Sequence, residues 1–118
     1  MCLLLIAYKT NPNYKLIVAA NRDEFYARPS APANFWKEHP FLLAGKDLKA
    51  GGTWMGITEG GKFTAITNYR DLSNIKKNAP SRGKLVTDFL IGDYSISEYG
   101  KFLQNSAGEY NGYNLIFG

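Results

Sequence analysis

At 118 residues, with 45% apolar and 14% aromatic side chains, the chain is expected to form one globular unit around a single core, which argues against disorder. Its 14 Lys and Arg against 10 Asp and Glu give a net charge of +4, yet only Lys76 and Lys77 adjoin, so the basic stripe of a nucleic-acid binder is missing. One cysteine, Cys2, and one histidine, His39, exclude an internal disulfide and leave zinc-type spacings without ligands.

The chain opens on the apolar run "CLLLIAY", far short of the roughly 18 residues of a membrane helix and without the flanks of a secretory signal. The expectation is a soluble, cytoplasmic protein with no membrane span. This run and "KLIVAA" are strand-length, and "KTNPNY" between them supplies turn chemistry, so a hairpin is predicted. A tight turn at Asn11-Pro12-Asn13-Tyr14 sets Lys9 opposite Leu16, Ile6 opposite Ala19 and Cys2 opposite Asp23. A slip of one residue would change which side chain shares the cysteine's face.

The second strand runs directly into Asn21, Arg22, Asp23 and Glu24, an amide, a guanidinium and two carboxylates crowded at a strand end. Removal of Met1 would leave Cys2 with a free α-amine (pKa about 7.7–8.0) beside its thiol (about 8.5), two groups that exchange protons near neutrality. An amine serving as base for its own residue's nucleophile is an established mode of activation, and a carboxylate and an amide nearby can orient that amine. A cysteine within "CLLLI" also suits a small core hydrophobe, and both roles stay open. Arg22 and Glu24 fall on the opposite pleat from Asn21 and Asp23 and suit a structural salt bridge.

The stretch "YARPSAPANFWKEHP" is expected to be a loop because of Pro29, Pro32 and Pro40, with His39 exposed in it. "FLLAG" is a strand candidate. In "AGKDLKAGGTW", Gly45, Gly51 and Gly52 suit either a close ligand approach or a plain bend, and Trp54 either walls an acyl or planar group or joins the core. "TWMGIT" and "KFTAITNYR" flank "EGG", predicting a hairpin on a two-residue turn with Gly60 and Gly61 both at positive φ and Thr53 facing Asn68. Tyr69-Arg70-Asp71 suits a strand end with a local ion pair, and Arg82 is expected to face solvent.

From Ser81 the period changes. Leu85, Val86, Phe89 and Leu90 share a helical stripe ended by Gly92; Ser95-Ile96-Ser97-Glu98 is a capping-box pattern opening a second helix with Ile96, Tyr99, Phe102 and Leu103 inward. "YNLIFG" closes as a strand. Its unpartnered edge is suited by the remainder of a longer domain or by a second subunit, such as a homo-oligomer.

Together, "MCLLLIAY", "AANRDEFYARPSAPANFW", "AGKDLKAGGTWMGIT", "TAITNYRD" and "PSRGKLVTDFL" resemble the NRDE-motif family of transport and Golgi organisation protein two-like sequences, over nearly the whole chain. That family is similar to N-terminal nucleophile hydrolases of the cysteine type acting on linear amides. The resemblance implies an α+β fold, an αββα sandwich of antiparallel sheets covered by helices, with residues 1–118 as a single NRDE-type domain incomplete at its C-terminus. Residue by residue it implies Cys2 as nucleophile, Asp23 as the aspartate holding the amine, Asn21 as its polar neighbour and Asn68 as the first oxyanion position. Arg22, Trp54 and Tyr69 are the substrate-binding candidates.

The arginine found shortly before the aspartate in those enzymes falls here on Ala20, with Arg22 a displaced substitute. The second oxyanion asparagine and a distal arginine would lie beyond residue 118. For the NRDE family itself the resemblance implies roles in secretory organisation, lipid or acyl-CoA homeostasis and haem handling. Two functions therefore stand side by side: hydrolysis of a linear carbon–nitrogen amide bond, and non-catalytic binding or trafficking of an acyl or haem-like ligand. Neither cofactor nor metal is expected.

Overall fold

A computed structural model of the chain describes residues 2–69 and 73–118. The first two strands, β1 (Leu4–Tyr8) and β2 (Leu16–Ala20), form the expected hairpin as a separate two-stranded antiparallel sheet. Its register is one residue off the predicted one: Leu4 pairs with Ala20, Ile6 with Val18 and Tyr8 with Leu16. The turn explains the slip. Asn11 Oδ1 accepts the N–H groups of Asn13 (2.8 Å) and Tyr14 (3.2 Å), closing the turn through a side chain, and Lys9 is taken into the loop at φ 54°.

The proline-spaced stretch holds a strand where a loop was expected, β3 (Ser30–Phe35). It lies at the edge of the second sheet and its register shifts between Ala31 and Asn34, so Pro32 sits where a missing N–H is tolerated. Beside it run β4 (Leu42–Asp47), β5 (Met55–Thr58), β6 (Phe63–Asn68) and β7 (Tyr113–Phe117), five antiparallel strands in chain order. The β5–β6 turn also departs from the prediction. Ile57 pairs with Phe63 and Met55 with Ala65, so the loop has three residues, Glu59 to Gly61. Gly61 N–H donates to Thr58 O (2.9 Å) and Gly61 alone of the two glycines is left-handed, at φ +89°.

Two helices follow, α1 (Gly83–Ile91) and α2 (Ile96–Ser106). Leu85, Val86, Phe89 and Leu90 of α1 are all buried, as their spacing predicts, and with Leu42, Ala44 and Ile66 they build the core. The Ser95–Glu98 capping box is fully formed: Ser95 Oγ accepts Glu98 N–H (3.2 Å) and Glu98 Oε2 accepts Ser95 N–H (2.9 Å). Tyr99 is wholly buried and donates its hydroxyl to Leu85 O, tying α2 to α1, whereas Ile96, expected inward, is exposed.

Strand alternation sorts the five-stranded sheet into two faces. Leu42, Ala44 and Gly56 face α1; a Cβ at Gly56 would lie 2.8 Å from Leu90 Cδ1, so only glycine lets helix and sheet meet there. Leu43, Met55, Ile57 and Phe63 face the hairpin's Leu16 and Val18 across a cleft of about 330 Å³. The protein is thus α+β, with two antiparallel sheets and two helices: α1 covers one face of the larger sheet and the hairpin lies over the other. The hairpin's outer face carries Leu3, Leu5 and Ile17, all exposed. Among the described residues no helix is long and apolar enough to cross a membrane.

Candidate functional site

A cavity of about 510 Å³ opens where the start of the chain, the end of β2, the loop before β5, the end of β6 and the N-terminus of α1 converge. Cys2, Arg22, Asp23, Trp54 and Asn68 all line it. The sequence-derived candidates therefore meet in one place, apart from Asn21 and Tyr69. Asn21 lies directly beside it, lining a smaller gap with Cys2 and Trp54. Tyr69, just past β6, pairs its N–H with Gly112 O (3.0 Å) and is exposed away from the cavity lining. Arg70 and Asp71, the expected local ion pair, lie outside the described residues.

Cys2 is half-buried, and its Sγ accepts the backbone N–H of Asp23 at 3.4 Å. The observed register, carried two residues past Leu4 and Ala20, sets Cys2 level with Arg22 instead of Asp23. The chain's departure from the ladder after Asn21 nevertheless turns Asp23 toward the sulfur. Asn21 fixes this geometry twice over: its N–H donates to Leu3 O (3.2 Å) and its Oδ1 accepts Leu3 N–H (2.7 Å). An amide side chain at this position thus clamps the backbone immediately after Cys2.

The other half of the quartet works laterally. Arg22 lies over the Trp54 ring, 4.4 Å from its centroid, and reaches Glu24 at 3.6 Å. The expected Arg22–Glu24 pair is present, and the same guanidinium forms part of the cavity wall. Trp54 in turn covers Gly45, where a Cβ would come within 2.6 Å of the ring. Gly52 lies against the backbone of Gly83, where a Cβ would meet the carbonyl at 2.8 Å. The close approaches at these glycines are thus made by the protein itself.

Five charged residues of the cavity, Arg28, Asp47, Lys49, Lys77 and Arg82, are not among the predicted site residues, and three of them are at least partly buried. Arg28 donates from Nε (3.0 Å) and Nη2 (2.6 Å) to Asp47 Oδ2, and lies 3.9 Å from Glu24. Asp47 Oδ1 accepts the N–H groups of Lys49 (3.0 Å) and Ala50 (3.3 Å). Burial alone would raise the Asp47 carboxyl, but these donors outweigh it and hold it below the ordinary carboxylate range. The bond to Asp47 likewise raises Arg28.

The third, Arg82, caps the start of α1, half-buried, with Nη1 donating to Gly112 O (2.8 Å). Desolvation lowers its pKa, Glu24 and Cys2 act to raise it, and Arg28 acts to lower it. It thus lies in the electrostatic field of the cysteine, not in open solvent. The Glu24–Arg28 pair has a signal in its four-residue spacing; Asp47 and Arg82 arrive only through tertiary folding.

The Cys2–Trp54 gap and the apolar cleft between the sheets share Trp54 and Met55 in their walls. A polar cavity therefore adjoins an apolar one at a single indole. Such an arrangement can hold a molecule with one polar and one apolar end.

The family model described as Transport and Golgi organisation 2 matches residues 1–118. The transport and Golgi organization protein 2 homologs of Bos taurus and Homo sapiens are 42% and 43% identical to the chain over 123 residues, covering 98% of it and 44% of each relative. Transport and Golgi organization protein 2 of Drosophila melanogaster is 32% identical over 127 residues, again covering 98% of the chain and 45% of that protein. The chain thus spans less than half the length of these relatives.

Proposed function

We propose, from the premise that this chain belongs to the Transport and Golgi organisation 2 family, that its Cys2 cavity is an amide-hydrolysing site and that residues 1–118 are the N-terminal part of one NRDE-type domain. The observation that carries the reading is the convergence of Cys2, Asp23 and Asn68 on one open cavity, with Asp23 N–H on the sulfur. With Met1 removed, the α-amine of Cys2 takes the thiol proton as Sγ attacks the amide carbonyl carbon. The carbon–nitrogen bond breaks, the amine returns that proton to the leaving nitrogen, and water then hydrolyses the thioester to a carboxylic acid and free Cys2. Asp23 and Asn21 position the N-terminal residue, and Asn68 donates to the oxyanion.

The test combines intact-mass analysis of the N-terminus with an acyl-thiol probe. The expected result is loss of Met1 and acylation at Cys2, abolished in Cys2→Ala. Active protein that retains Met1 would eliminate the amine mechanism.

The apolar cleft lined by Leu16, Val18, Met55 and Phe63 favours a second reading, non-catalytic carriage of an acyl or haem-like ligand in the transport and Golgi role for which the relatives are named. It requires that a Cys2→Ala chain retain the ligand as well as the parent does. Weakened retention in that variant counts against it.

A further inference from the structure

The charges around the Cys2 cavity do not cancel. Arg28 is matched by Asp47, and Arg22 by Glu24. Among the described lining residues that leaves Arg82, Lys49 and Lys77, with Asp23, itself engaged, as the remaining carboxylate, so positive charges outnumber negative ones by two in a concave site. Among the described residues Arg82, Lys49 and Lys77 form no ion pair, and Arg82 is the half-buried one of the three.

Its guanidinium is also incompletely used. Nη1 donates to Gly112 O, while Nε and Nη2 donate to none of the described residues. That edge carries two parallel N–H donors, the geometry that receives both oxygens of a carboxylate. A half-buried cation without a counter-ion carries a desolvation cost that a bound anion relieves, and burial does depress Arg82 here.

We propose that Arg82 is the specificity-determining residue of the Cys2 cavity and that it binds a carboxylate group of the ligand. The apolar cleft beyond Trp54 takes the other end, so the ligand class is an amide with an apolar acyl chain and an anionic amine portion. This inference rests on the Cys2 cavity being the ligand site proposed above, though not on turnover there.

The experiment measures binding without chemistry. In the 118-residue Cys2→Ala chain, calorimetry compares N-hexanoylglycine with its uncharged counterpart, hexanoylglycinamide. The expected preference for the acid is about tenfold, the scale of a charge-assisted hydrogen-bond pair. Arg82→Gln removes that preference while leaving glycinamide binding in place, and Arg82→Lys keeps part of it because the charge remains. Thermal melts of both variants confirm folding. Equal affinity of the two ligands, or a full preference surviving in Arg82→Gln, would overturn the proposal. In the Cys2-containing chain, hydrolysis of both compounds with equal KM defeats the Arg82 proposal and leaves the hydrolase reading intact. A charge preference in binding with no acylation of Cys2 does the reverse.

Discussion

Arg28 and Asp47 join the loop after the NRDE quartet to the end of β4 through two donors on one carboxylate oxygen. The pair is partly buried, with side-chain exposures of 28% and 11%, and Asp47 additionally holds two backbone N–H groups. Asp47→Asn keeps those backbone contacts and loses the charge. It is expected to destabilise the fold by about 1–3 kcal/mol in urea denaturation at pH 7. The folded-state pKa of Asp47 lies below its ordinary 3.8, so its contribution is complete above that value and disappears as pH falls through the folded-state value. The variant's stability should therefore fall less steeply than the parent's below about pH 4.

Asn21 is a positioning residue, and its action is readable at one amide. Asn21→Ala frees the Leu3 N–H, for a cost of about 1 kcal/mol and faster hydrogen exchange at Leu3. Asn21→Asp retains the acceptor and should keep the exchange rate near that of the parent. Equal protection in all three proteins would remove the clamp from the account.

Gly45 sets the position of Trp54. A methyl group there meets the ring at 2.6 and 2.8 Å and the carbonyl of Ala31 at 3.3 Å, so the indole must move. Gly45→Ala should cost about 1–3 kcal/mol and change tryptophan emission. Combining it with Trp54→Ala should give less than the sum of the two losses, because both act on one contact.

Gly60 and Gly61 separate two effects that sequence alone merges. A Cβ at Gly61 meets nothing within 4 Å, yet φ is +89°, so Gly61→Ala should cost about 1 kcal/mol through the backbone alone. Gly61→Asn should cost less, as asparagine tolerates this region. Gly60→Ala, whose nearest neighbour is Thr58 Oγ1 at 3.7 Å, should be close to neutral in a thermal melt.

What the sequence reveals here depends on how local the determining interaction is. The Ser95–Glu98 capping box and the α1 stripe are legible because every participant lies within a few residues. The hairpins are legible as hairpins, but both registers slip by one. In the first, Lys9 takes a left-handed conformation that its side chain does not announce; in the second, Gly61 is left-handed as expected but Gly60 is not, and the loop holds three residues. The strand at Ser30–Phe35 is hidden by prolines that an edge position tolerates. At the site, Cys2 and the quartet are legible because one hairpin brings them together. Arg82 is not, because it comes from the start of a helix some sixty residues downstream in a segment with no chemical pattern of its own.

The two-stranded sheet has a consequence for how the thiol behaves. Among the described residues β1 and β2 share backbone ladder bonds with each other and not with the five-stranded sheet, so the flap they form can lift off while the helical core stays folded. Alkylation of Cys2 by a reagent too large to enter the cavity should then proceed through that partial release, at a rate set by the flap's own opening equilibrium. Mutations that weaken the α1 core would lower the melting temperature and leave the labelling rate almost unchanged.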